Sequence, residues 1–412
     1  MLSPSELEAM PLELEAQFKQ LESRVMTDIV RRLKNNGNDI IRSADWQINR
    51  LNELGASKEE IKKYIQETLD LSNAEIDKIY ANAIESGYAH NAEIYKQVGV
   101  PLIPYAENKG IQQLVSAIKE QTSGEFNNIT NSLGFATKGA DGKLSFTPIA
   151  DYYQKTLDGA MLDIASGAFD YNTVLKRIVN EMTNSGLRTV DYASGWSNRV
   201  DVASRRAVMT GISQLTGKIN EQTADELGTD TYEVSYHIGA RPSHQVWQGK
   251  WYTKDKLVSV CGLGTVTGLC GANCRHSYSP VIPGVSVPSY SDEELKSLNE
   301  QENTPKDYYG KQYTTYEATQ RQRQLETAMR ANRQKIKLLQ EGGADEDDII
   351  LARCKYRGIS QEYARFSKAM GLPQQRERIY GDGLGDIGKG KYKKPKKVTK
   401  TVEKSDESES VV

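Results

Sequence analysis

The chain has 412 residues, of which 38% are hydrophobic, and a formal net charge of −2. That length accommodates two or three domains and a sizeable core, while the near-neutral charge excludes a globally basic nucleic-acid binder but not a local basic patch. Four cysteines in so long a chain exclude a disulfide framework, and no run approaches the roughly 18 to 20 apolar residues that span a bilayer. The opening MLSPSELEAM has no basic segment followed by an apolar one, so no secretory signal is expected. A reducing compartment follows, in which clustered Cys and His more often bind metal than form disulfides.

The first hundred residues read as helix. Ser57-Lys-Glu-Glu60 and Ser72-Asn-Ala-Glu75 match the capping-box pattern and predict two helix starts. Ile76, Ile79, Tyr80, Ala83 and Ile84 then follow the spacing of a helix that buries one face. Pro101 and Pro104 end this run. A short helix is predicted over 110–122, then a small β-hairpin over 134–147, turned at Asp141-Gly142. Asp170 predicts the N-cap of a helix over 171–184, with Val174, Ile178 and Met182 on one face and Gly186 as its stop.

The strongest core helix is predicted over 198–226. Val208, Ile212, Leu215 and Ile219 form its apolar stripe, and Ala203, Ala207 and Gly211 a line of small residues. Gly211 costs roughly 1 kcal/mol against alanine, so the line predicts close approach of another helix. Tyr232, Val234 and Tyr236 alternate with polar residues, as in a strand. A helix over 316–340 carries Leu325, Ala328, Met329, Ile336 and Leu339 on a narrow stripe. Its basic residues, from Arg321 to Lys337, predict a solvated face, with contact to an acidic partner or phosphate backbone as the alternative. Residues 381–412 lack the apolar content to order themselves, which predicts a disordered tail. Its seven lysines from Lys389 to Lys400 precede an acidic end. Lys389, Lys391, Lys393, Lys394, Lys396 and Lys397 are its candidates for nucleic-acid contact.

The reactive residues concentrate between Tyr236 and Pro288, which hold three of the four histidines and three of the four cysteines. Cys270-x3-Cys274-x-His276 places three possible ligands within seven residues, and His244 or Cys261 would complete a tetrahedral zinc set. The stretch has few aliphatic residues, so a structural zinc would compensate for a small core. Alternatively, the same residues pack as small hydrophobes and hydrogen-bonding groups, with Arg241 or Arg275 paired to a carboxylate. His237, on the strand, reads as a satisfied structural histidine rather than a ligand. A third reading is catalysis, with His237, His244, Asn273 and His276 as parts of a metal-dependent nuclease, or Cys274 activated by His276. No Asp/Glu-rich metal site accompanies them. Gly262-x-Gly264 lacks the context of a dinucleotide fingerprint.

One ordered set of motifs resembles a known family. It runs through Asp191-Tyr192, Ser194-Gly195, Arg205-Arg206-Ala207-Val208-Met209-Thr210-Gly211 and Gln214. It continues with His237-x-Gly239-Ala240-Arg241-Pro242-x-His244, then Trp247-Gln248-Gly249-Lys250. It closes with Gly268-Leu269-Cys270-Gly271-x-Asn273-Cys274-Arg275-His276 and Pro280. This resembles the phage minor capsid protein 2 family and, more distantly, Mu-type and SPP1-type minor head proteins. The distant relatives end in Cys-Arg-Cys where this chain has Cys274-Arg275-His276, a change that still permits metal. The resemblance is detailed from about Tyr171 to Tyr290. His237, Arg241, Trp247, Gly249, Asn273 and Arg275 belong to the motif.

The resemblance implies a non-enzymatic component of the virion, inside the capsid, made in the host cytoplasm. It implies portal, major capsid or scaffolding protein as partners, with packaged double-stranded DNA as a further one, and a part in head assembly or in genome packaging and ejection. A nuclease or toxin-like enzyme carried in the head and a DNA-binding packaging accessory are the alternatives. The expected fold is α+β: predominantly helical, with a small Cys/His-containing β/loop module and a disordered C-terminal tail. Its expected divisions are a helical region at 1–105, a connector of helix and hairpin at 106–160, a minor-head domain at 161–290, a helical region at 291–380 and the tail at 381–412.

Overall fold

A computed structural model describes residues 2–39, 46–138, 142–191, 195–385 and 387. The chain is predominantly helical, with three small antiparallel sheets among the described residues. Pro4–Ala9 (α1) starts at a capping box, in which Ser3 and Glu6 satisfy each other's backbone N–H groups. Leu12–Asp39 (α2) and Trp46–Val98 (α3) follow. Asp28 meets Ser57, Arg24 meets Glu67 and Gln17 meets Ser72, so the two helices run antiparallel.

Unbroken α3 corrects the two predicted helix starts at Ser57 and Ser72. Both serines are buried in mid-helix. The Ser57 hydroxyl donates to Asp28 at 2.5 Å and that of Ser72 to Gln17 at 3.1 Å. A serine whose hydroxyl finds an acceptor on a neighbouring helix has no need to cap its own backbone. The predicted stop does hold: α3 ends at Val98, with Gly99 at φ 71° ahead of Pro101.

Asn108 accepts from the Ile111 N–H and opens Lys109–Asn131 (α4). This helix outruns the predicted 110–122, because Phe126 and Ile129 extend its buried stripe. The hairpin forms as predicted, from Leu133–Lys138 (β1) and Leu144–Pro148 (β2) in antiparallel register. Residue 141 of its predicted turn lies outside the described residues. Ile149–Ala165 (α5) leads to Tyr171–Ser185 (α6), capped by Asp170 and stopped at Gly186 with φ 68°. Arg188–Val190 (β3) and Ser197–Arg199 (β4) complete a sheet of order β2-β1-β3-β4.

Val200–Leu227 (α7) is the buried helix expected near 198–226. Its small-residue line does admit another helix. At Gly211 a Cβ would overlap the hydroxyl of Tyr80 on α3, which shares a 2.5 Å hydrogen bond with Thr122 of α4. Gly211→Ala is therefore expected to lower stability by about 1–3 kcal/mol through overpacking, although alanine is the better helix former by about 1 kcal/mol. Denaturant melts of Gly211→Ala, alone and with Tyr80→Phe, check this. Part of the penalty should be relieved in the double variant, because the ring carbon that bore the hydroxyl still lies 2.8 Å from the added Cβ; an equal penalty in both backgrounds would refute the contact.

Thr231–Val234 (β5), Pro242–Gln245 (α8), Trp251–Thr253 (β6), Lys254–Ser259 (α9) and Tyr278–Pro280 (β7) form the Cys/His module around a sheet of order β6-β5-β7. Its own small core includes Tyr232, Val234, Trp247, Leu257, Cys261, Leu269 and Tyr278. The main core is separate and draws residues from Leu2 to Tyr380. Asp292–Asn303 (α10) precedes a hairpin of Lys306–Tyr308 (β8) and Lys311–Tyr313 (β9). Thr315–Gly342 (α11), Glu346–Met370 (α12) and Glu377–Tyr380 (α13) complete the fold.

Helix α11 corrects a second expectation. Its basic residues do not form a solvated face, because α2, α6, α12 and α13 surround it. Arg333 is fully buried and grips Asp382 with two hydrogen bonds of 2.7 and 2.9 Å. Arg330 pairs with Asp201, and the Lys335 ammonium donates to Asn180 at 2.6 Å. Their acceptors come from positions far along the chain. Among the described residues no helix is long and apolar enough to cross a membrane.

Candidate metal centre

Two short segments build the site. Arg241 precedes Pro242, whose fixed φ suits the first position of α8. That one turn buries His244 against Trp247, with ring centroids 4.4 Å apart. The second segment is the loop between α9 and β7. Cys270 and Asn273 both adopt left-handed backbone, at φ 59° and 58°, and turn the loop back on itself. At Gly271 a Cβ would lie 2.5 Å from the carbonyl oxygens of Thr265 and Val266, so only glycine fits there. The turn delivers Cys274 and His276 to His244. Arg241 pins it by donating to the Ala272 carbonyl at 2.8 Å.

His244, Cys274 and His276 bring three ligand atoms within 4.8 Å of one another, and all three residues are buried. Their outer hydrogen bonds fix the tautomers. His244 Nε2 lies 2.9 Å from the Thr267 carbonyl oxygen, which can only accept. His276 Nε2 lies 3.0 Å from Gln248 Oε1, which also accepts from the His237 backbone N–H. Both Nε2 atoms therefore carry protons, and both Nδ1 lone pairs point inward, 3.4 Å apart. Cys274 Sγ stands 3.4 Å from Nδ1 of His276 and 3.8 Å from that of His244.

One thiol proton cannot satisfy two facing lone pairs, and a buried unsatisfied acceptor is costly. A divalent cation removes the conflict. With Zn–N of about 2.0 Å and Zn–S of about 2.3 Å, tetrahedral edges come to about 3.3 Å between nitrogens and about 3.5 Å between nitrogen and sulfur. The spacings in the cluster match these edges. Three protein donors leave the fourth position of such an ion to water or a further ligand.

Burial also sets the protonation that metal binding needs. Burial, then repulsion from His237 and His244, pushes the His276 imidazolium value down to about 2. Burial lowers that of His244 as well, so both rings favour the neutral form that a metal ligand would need. Burial pushes the Cys274 thiol up; a bound cation would reverse this and hold the thiolate.

The cluster does not take in all the expected ligands. Cys270 turns its thiol to the His276 carbonyl, at 3.6 Å. Cys261 packs in the module's core, where burial pushes its thiol up to about 12. Cys-x3-Cys spacing alone could not reveal that the positive φ of Cys270 turns one sulfur away. His237 lies beyond the end of β5 rather than on the strand, and stacks on His276 at 4.3 Å between ring centroids. Arg275 does meet a carboxylate, Glu8 of α1, at 2.9 Å. Gly249, at φ 74°, lies against Leu295, and Asn273 borders the cavity beside the cluster. Lys389, Lys391, Lys393, Lys394, Lys396 and Lys397 lie outside the described residues. Sequence reasoning missed Gln248, Thr267 and Glu302. Gln248 sits inside the Trp247-Gln248-Gly249-Lys250 motif; Glu302, which accepts from the Gly239 N–H at 2.8 Å, has no motif to mark it.

The family model described as phage minor capsid protein 2 matches residues 2–366. A structural protein of Lactococcus phage LL-H is 21% identical over 285 residues, which cover 65% of this chain and 74% of that protein. No solved structure matches the chain.

Proposed function

Since the chain belongs to the phage minor capsid protein 2 family, we propose that it works inside the head by contact rather than by chemistry. In this reading it docks on portal or inner capsid protein through its Cys/His module and assists head assembly or genome packaging. The observation that carries the reading is a local concentration of unburied apolar side chains: of the seventeen large ones exposed among the described residues, seven fall within residues 236–288 and ten elsewhere along the chain. Ile238, Val246, Val258, Val260, Val266, Val285 and Val287 are all exposed, Val266 by 75% and Val287 by 83%. All seven lie between Tyr236 and Pro288, the stretch that contains the cluster. Such exposure on a module with a small core of its own favours a protein partner.

The cluster serves this reading as a staple. A zinc ion held by His244, Cys274 and His276 would cross-link α8 to the loop before β7 and fix the surface that carries those side chains. The buried, neutral imidazoles have their Nε2 protons committed to Thr267 and Gln248, which suits holding an ion better than moving a proton.

Val266→Asp combined with Val287→Asp tests the docking surface. Both sites are exposed, so the purified variant should melt within about 0.5 kcal/mol of the parent. Its copy number in purified heads should fall at least tenfold, which corresponds to about 1.4 kcal/mol of lost docking energy. Parental copy number would contradict the reading. DNA cleavage by the metal-loaded chain that is lost in His244→Ala would favour the nuclease alternative instead.

A further inference from the structure

Helices α2, α7, α11 and α13 and the Cys/His loop line a partly open cavity of about 350 Å³, within the range of small-ligand sites. Its wall is charged and unbalanced. Asp201 is paired with Arg330, and Glu15 with both Lys19 and Arg205. Glu8 is shared by three guanidinium groups, those of Arg275, Arg378 and, at 3.6 Å, Arg323. Arg241 donates to the Ala272 carbonyl, and among the described residues no carboxylate lies within ion-pair reach of it. The remaining acid, Glu326, accepts from the Tyr363 hydroxyl at 3.2 Å, and burial raises its carboxyl value.

Seven cations line this partly open space against three lining carboxylates and the Glu8 that pairs with them. A surplus of cationic charge lining one concave space favours a bound anion. The strain concentrates on Arg323, whose value is pushed down to about 9 by burial and then by Arg378 and Arg275. Among the described residues, two guanidinium groups lack a carboxylate at hydrogen-bond distance, and both border the cavity: Arg323 on α11, 3.6 Å from the shared Glu8, and Arg241 on the module. Guanidinium forks match the oxygens of phosphate. A tetrahedral dianion can spread its oxygens over donors that converge from separate elements; a carboxylate has only two.

We propose that this cavity binds a phosphate dianion, free or as a phosphomonoester, with Arg323 and Arg241 as its principal ligands. The inference rests on the charge balance and the cavity, and stands whether or not the metal centre or the docking surface is upheld.

Calorimetric titration of the full chain tests it with three probes: inorganic phosphate, a short 5′-phosphorylated oligonucleotide and the same oligonucleotide without the phosphate. Saturable binding of either phosphorylated probe, with none of the unphosphorylated one, supports the site. The probe that binds more tightly identifies the source of the phosphate. Arg323→Gln should weaken binding at least tenfold and, by removing surplus charge, raise the ligand-free melting temperature. Arg323→Lys should bind at an intermediate strength. A merely structural arginine would instead lower the melting temperature when replaced. Failure of both phosphorylated probes to bind, equal binding of the unphosphorylated one, or unchanged affinity in Arg323→Gln would overturn the proposal.

Discussion

Replacing Asp201 by asparagine is expected to cost about 3–5 kcal/mol, the loss seen when one member of a buried ion pair is removed. Asp201 sits in the first turn of α7 and is 5% exposed. It pairs with Arg330 of α11, close to Lys19 of α2. One carboxylate therefore joins the three helices that form the middle of the molecule. Burial alone would raise its value, but Arg330, Arg199 and Lys19 overcome that and hold it well below the usual carboxylate range. The sign follows from linkage. Its stabilisation is complete above the unfolded value of about 3.9 and is lost only as pH falls through the lower folded value. The penalty in Asp201→Asn should therefore be the same at pH 5 and pH 7. Urea melts at both values check this, and Asp201→Asn with Arg330→Gln should recover part of the loss. A penalty under about 1 kcal/mol, the level of an exposed pair, would show that this pair does not tie the helices.

The second large effect is expected at Cys274. Cys274→Ser removes the soft donor, and structural zinc contributes on the order of 10 kcal/mol in small modules. The module also packs against α7 through Tyr278, whose backbone carbonyl accepts from Asn220, so the loss should open the loop between α9 and β7 rather than unfold the chain. Limited proteolysis should then cut within 260–277 in the variant and not in the parent. A chelator should lower the melting temperature of the parent but leave Cys274→Ser unchanged. Cys261→Ser and Cys270→Ser should keep the parent's chelator response, because neither sulfur reaches the cluster. Equal chelator response in Cys274→Ser and the parent would remove Cys274 from the ligand set.

Local signals predicted local structure well. Asp170 and Gly186 bound α6 because a cap and a stop act on their own helix. The stripe of Ile76, Ile79, Tyr80 and Ala83 does face the core. The hairpin of β1 and β2 forms in register. The errors came where a partner distant in sequence decided the outcome. Ser57 and Ser72 look like caps until α2 supplies acceptors for their hydroxyls. Arg330 and Arg333 look solvated until Asp201 and Asp382 fold against them. Strands of three residues, such as β3 and β4, are too short to display a period. The candidate site was legible as a concentration of Cys and His. Which three converge was not, because that depends on the left-handed turns at Cys270 and Asn273. The cationic cavity had no signal in a net charge of −2, since its cations come from six separate segments.

The metal centre is tested most directly by elemental analysis of the full chain purified without chelator, alongside Cys274→Ser. The geometry of His244, Cys274 and His276 predicts about one zinc per chain in the parent and none in the variant. A parent that carries no metal, and that melts at the same temperature as Cys274→Ser, would contradict it.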